Sequence, residues 1–148
     1  MKAAVSNIAL SPYDHGEELR RLAAHGLEGL EVAPSRVWRD TWHGLTTIEV
    51  SDYRRRIVNA GLGVVGLHSL FYDQPELGLF KEPAERAESL DFLEHLSKVC
   101  RDLGGRTLIY GGGRRRGWVL VRSKLWGLVG LTPYDRPATL PPKPSVWR

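Results

Sequence analysis

Short apolar runs alternate with longer amphipathic stretches four times between residues 1 and 110, and a polar loop follows each apolar run. The first run predicts a strand over 3–10, ended by Ser11-Pro12, because proline cannot donate to a ladder and restrains the residue before it. A helix follows, with Asp14 and Glu17 spaced as a capping box, Leu19, Leu22 and Ala23 on one face, and Gly26 as its stop. The second strand spans 28–33 and closes at Pro34. After a loop over 35–49 containing Trp38, Trp42 and His43, Ser51 or Asp52 is expected to cap a helix that buries Val50, Tyr53, Ile57 and Ala60 and ends at Gly61. The third strand spans 63–70 and runs into a second long loop through Phe71, Tyr72, Asp73, Pro75 and Phe80. Pro83 opens the longest helix, with Ala87, Leu90, Leu93, Leu96, Val99, Cys100 and Leu103 expected inward and Gly104-Gly105 as its stop. The fourth strand spans 106–110, and the pattern ends at Gly111-Gly112-Gly113-Arg114-Arg115-Arg116.

Regular strand-helix alternation predicts an α/β fold with a parallel sheet. The turns from helix to strand are short and the loops from strand to helix are long, the distribution by which α/β barrels build active sites at the C-terminal ends of their strands. A dinucleotide-binding sheet is excluded, since the first strand-to-helix turn, Leu10-Ser11-Pro12-Tyr13-Asp14-His15-Gly16, lacks the glycine fingerprint. The expected fold is therefore of the (β/α) TIM-barrel type, truncated to about four of the eight units of a closed barrel. Residues 1–114 form its N-terminal half and 115–148 an irregular tail. Four strands alone leave two unpaired edges and an uncovered apolar interior, which predicts self-association.

Charge sharpens that division. Residues 1–110 carry 13 Lys/Arg against 16 Asp/Glu, whereas residues 111–148 carry 8 against the single Asp135. The positive balance belongs to the tail, so a nucleic-acid partner is not expected. That tail holds three of the five Trp and five of the nine Pro, and only Trp118-Val119-Leu120-Val121 within it reads as a strand. Its composition is what a GC-rich gene encodes out of frame, and we read it as a frame shift near codon 114; translation of the downstream DNA in the other two frames tests that reading. The lone Cys100 excludes an intrachain disulfide and suits a reducing compartment. With no signal segment and no apolar run of membrane-spanning length, the expected location is cytoplasmic.

The polar residues at the strand ends carry the candidate chemistry. Asn7 ends the first strand, Glu31 lies in the second, His68 and Ser69 close the third, and Arg114 follows the fourth. In parallel neighbours these project at one rim, as donors and acceptors suited to a hydroxylated substrate. Glu31, between Leu30 and Val32, needs a reason to be there, because an unpartnered carboxylate is expensive to desolvate. Glu31 and His68 can each serve as metal ligand or as acid/base.

The runs Ala4-Val5-Ser6-Asn7-Ile8-Ala9, Gly29-Leu30-Glu31-Val32-Ala33-Pro34 and Gly66-Leu67-His68-Ser69-Leu70 together resemble the sugar phosphate isomerase/epimerase family, the xylose-isomerase-like TIM barrels. The resemblance covers residues 1 to 114 and implies metal-assisted proton transfer on a hydroxylated carbonyl sugar, with a divalent Mn, Mg, Zn or Co ion. It places Glu31 and His68 as the catalytic pair and Asn7, Trp38, Ser69 and Arg114 as substrate contacts, Trp38 being the kind of aromatic that covers a sugar face. The family's main metal ligands lie on the fifth to eighth strands, which this chain lacks, so impaired catalysis is expected and the metal ligands stay unassigned. The related endonuclease IV branch, a metal-dependent hydrolase, also uses histidines from earlier strands, which leaves His68 relevant there. A further expectation is a non-catalytic half-barrel that pairs with a second copy or another chain.

Overall fold

The computed structural model of the chain describes residues 3–111 and 118–122. Four parallel strands, β1 (Ala4–Ser6), β2 (Gly29–Val32), β3 (Gly63–His68) and β4 (Thr107–Gly111), lie side by side in chain order, and β5 (Trp118–Arg122) pairs antiparallel with β4. Helices α1 (Gly16–Ala24), α2 (Thr47–Asn59) and α3 (Pro83–Leu103) connect the parallel strands. Right-handed crossovers between strands added in one direction put every helix on the same face of the sheet. The expected α/β alternation is present.

One apolar core fills the space between sheet and helices. Leu30, Val32 and Leu67 point into it from the strands, Leu19 from α1, Val50, Tyr53 and Ile57 from α2, and Phe92, Leu96, Val99, Cys100 and Leu103 from α3. Each fully buried Leu or Ile contributes about 1.5–3 kcal/mol relative to exposure. Gly26, Gly61 and Gly104 end the three helices at φ values of 81°, 89° and 91°, left-handed backbone that glycine enters without a Cβ penalty.

Several boundaries differ from expectation, each for a local reason. The first strand stops at Ser6, whose hydroxyl accepts the Ile8 N–H and starts a 3-10 turn over Asn7–Ala9. No capping box forms at α1; its N-cap is His15, and the Asp14 carboxylate instead accepts the Gly16 N–H. The cap of α2 is Thr46, not Ser51 or Asp52: Thr46 and Glu49 form a reciprocal capping box one turn earlier. Ala87 and Leu90 face solvent, because the buried stripe of α3 begins at Ser89 and Phe92. The strand expected at Trp118–Val121 is β5, and it pairs antiparallel along β4, so the described sheet ends in two edge strands, β1 and β5. No helix among the described residues is long and apolar enough to cross a membrane.

Candidate functional site

The face of the sheet away from the helices carries the polar strand-end residues, and a β-bulge decides which ones. Register runs Leu30↔Val64 and then shifts, so Glu31 pairs with Gly66 instead of Val65. Side chains alternate along a strand, so in unshifted register Val65 and Leu67 would share the face of Glu31 and His68 would point at the helices. The shift turns His68 to the side of Glu31 and leaves Leu67 fully buried in the core. Bulges re-aim side chains in this way. Gly66 is required at the shift, since a Cβ there would lie 2.1 Å from the Thr107 carbonyl oxygen.

Ser6 pairs with Glu31 in register and so shares its face. Ser6 Oγ and His68 Nε2 lie 2.6 Å apart, a contact that spans β2, and His68 Nδ1 lies 2.9 Å from Ser69 Oγ. Ser6, Glu31, His68 and Ser69 are all half-buried. The Ser6 hydroxyl also accepts the Ile8 N–H at 3.1 Å. The tautomer with its proton on Nδ1 donates to Ser69 and accepts from Ser6; the other reverses both bonds. Ser69 holds its hydroxyl there from a left-handed backbone at φ 53°, an uncommon conformation outside glycine. Burial lowers the His68 pKa from its ordinary value, and the charge of Glu31 opposes part of that shift.

Glu31, His68 and Ser69 thus come together at the ends of adjacent strands. Asn7 does not join them. One residue past Ser6, it points to the helix side and is fully buried, its amide accepting the Ala33 N–H at 2.7 Å and donating to the Ala33 carbonyl at 3.2 Å. Tyr53 stands beside this knot, its hydroxyl 2.7 Å from His15 Nδ1. Trp38 is buried too, packed edge-on to Tyr53 with ring centroids 5.7 Å apart. Arg114 lies outside the described residues. Ser6 is the residue the sequence reading passed over, and its signal was parity: on the strand that pairs with β2, Ser6 and not Asn7 matches Glu31.

The two long loops are tied together above the strands. Thr41, fully buried, donates to Asp73 at 2.6 Å, and His95 of α3 bonds the Thr41 carbonyl at 3.0 Å. Between the loops opens a cleft of about 480 Å³, lined by Arg39, Asp40, Trp42, His43 and, from the second loop and α3, Asp73 and Glu88 among others. Neither Glu31 nor His68 lines it.

Among the described residues no three His, Cys, Asp or Glu side chains stand close enough together to hold a metal ion. Glu31 and His68 are two donors at most, and both nitrogens of His68 are taken by serine hydroxyls. The described residues therefore fall short of the three or four protein ligands of a zinc site.

Comparison of the backbone with solved structures finds D-psicose 3-epimerase, crystallised in the presence of D-fructose, at a TM-score of 0.54 and 17% identity. The fold is of the TIM-barrel kind. The match covers 73% of this chain and 36% of the epimerase chain, so the chain spans about a third of that protein's length. No protein-family model and no curated protein matches the sequence.

Proposed function

We propose that the chain is a sugar isomerase- or epimerase-like half-barrel acting on a hydroxylated carbonyl substrate, with Glu31 and His68 as the proton-transferring pair and Ser69 as a hydrogen-bonding partner. The observation that carries this reading is the gathering of Glu31, His68 and Ser69 on one accessible face, at strand ends brought into register by a bulge. Such a face offers a carboxylate to take a proton beside a carbonyl and hydroxyls to orient sugar oxygens. The shared fold with an epimerase supports the substrate class. Among the described residues no metal-binding group stands beside the pair, so the proton transfer is assigned to these side chains. The same engaged nitrogens leave the endonuclease IV-like hydrolase reading, which needs His68 on a metal, with less support.

The test is exchange of the substrate proton next to the carbonyl in heavy water, followed by proton NMR with D-fructose and the full chain. Slow exchange is expected that Glu31→Gln abolishes. A wild-type rate equal to that of Glu31→Gln and of buffer alone overturns the reading.

The second reading, a half-barrel that assembles with another copy, is favoured by the free edge of β1 and by the bare face beside it. There Ala4 is exposed and Val65 is 39% exposed. A Cβ on Gly29 would meet both of them at 2.9 Å, so the three form one patch of apolar floor.

A further inference from the structure

We propose that Ser6 is a nucleophile activated by His68, so that the bare face of the sheet carries an acyl-transfer centre for small activated esters. Three roles are needed for such a centre: a hydroxyl, a base in hydrogen-bond reach of it, and a group that orients the base. Ser6, His68 and Ser69 occupy them in order, at 2.6 Å and 2.9 Å. One tautomer of His68 matches the roles. Ser6 Oγ accepts the Ile8 N–H and still carries a hydrogen, which in the Nδ1-protonated tautomer of His68 it gives to Nε2. Two further features fit a working site. Ser69 is kept in strained left-handed backbone where its hydroxyl meets Nδ1. Glu31, on the same face, stabilises the imidazolium that forms once His68 has taken the proton.

The chemistry balances without a metal or a cofactor. Ser6 Oγ bonds to the ester carbonyl carbon as its proton moves to His68 Nε2. The bond to the leaving oxygen breaks as that oxygen receives the proton, and an acyl-Ser6 remains. Water then repeats the sequence, giving up its proton to Nε2 and releasing the carboxylic acid with Ser6 restored.

The proposal is independent of the sugar reading, because an ester probe involves neither a ketose nor exchange at carbon. The experiment treats the full chain with p-nitrophenyl acetate, following nitrophenolate release and the acetylated peptide by mass spectrometry. An acetyl group on Ser6 is expected, formed about 10²- to 10⁴-fold more slowly in His68→Gln, the usual contribution of a general base. Acetylation should depend on pH through a histidine ionisation below the ordinary value of 6.5. Should His68→Gln fail to fold by circular dichroism, that wild-type pH profile decides: a rise through a histidine ionisation upholds the proposal, and a rise only in the lysine or tyrosine range overturns it. In Ser6→Cys, the new thiol should be alkylated by iodoacetamide with the same pH dependence and ahead of the buried Cys100. An unmodified Ser6 in the wild-type chain, or a rate unchanged in folded His68→Gln, overturns the proposal.

Discussion

At the scale of single residues, side-chain parity separates structure from chemistry. Ser6 and Asn7 are adjacent and both polar, yet one meets His68 on the bare face and the other is locked to Ala33 in the core. Composition points to both; only the pairing of β1 with β2 tells them apart, and register is not written in one strand. Glu31, His68 and Ser69 were legible because polar residues closing apolar strands stand out against their neighbours. Trp38 was misplaced as a rim aromatic because a loop tryptophan gives no sign of whether it folds back; here it packs on Tyr53. The Tyr53 hydroxyl is the partner of buried His15, so Tyr53→Phe should lower stability by about 1–3 kcal/mol in urea unfolding, the range for leaving a buried polar partner unpaired. A loss below a few tenths of a kcal/mol would show that the hydroxyl does not hold His15.

Three histidines add a pH dependence. Burial lowers the pKa values of His15, His68 and His95, so the folded chain resists protons that the unfolded chain accepts below about 6.5. The unfolded state then binds more protons, and the stability present above that pH is lost as pH falls toward the folded-state values. Urea midpoints measured from about pH 7.5 down to about pH 5 should decrease steadily; a flat or rising series contradicts the burial of these rings.

At the scale of elements, start and stop signals are local and were mostly readable. Proline opens α3 and glycine closes all three helices because each acts on its own backbone. The cap of α2 was displaced because Ser51 and Asp52 cap well in isolation, but Thr46 with Glu49 satisfies two backbone donors together. The bulge in β3 left no such mark. It depends on a close approach between two strands about forty residues apart, and its requirement falls on Gly66. Gly66→Ala would drive a methyl group into the Thr107 carbonyl and should destabilise the chain by about 3 kcal/mol or more, with loss of β3–β4 pairing. Thr46→Ala, which removes only an exposed cap, should cost about 1 kcal/mol in the same assay. Equal effects of the two would mean that the bulge relaxes around an added side chain.

At the scale of the whole molecule, the α/β class was legible from the four-fold alternation of strand and helix. The covering of one edge by β5 was not, because a strand next to an arginine run and a proline-rich stretch carries no signal of its partner. The apolar floor on the bare face makes association testable by sedimentation velocity across a concentration series. Val65→Glu, which sets a charge on that face, should shift the chain toward monomer; an unchanged distribution would place any contact elsewhere.

The antiparallel direction of β5 makes the two edges of the described sheet unlike. A strand that continues the common direction of β1–β4 meets β1 as a parallel neighbour and β5 as an antiparallel one. Among the described residues neither edge has a further strand beside it. Like edges can meet about a two-fold axis and close a pair, whereas β1 meeting β5 of another copy leaves an edge free at each end, so the mode of pairing and not the reversed strand sets the size of an assembly.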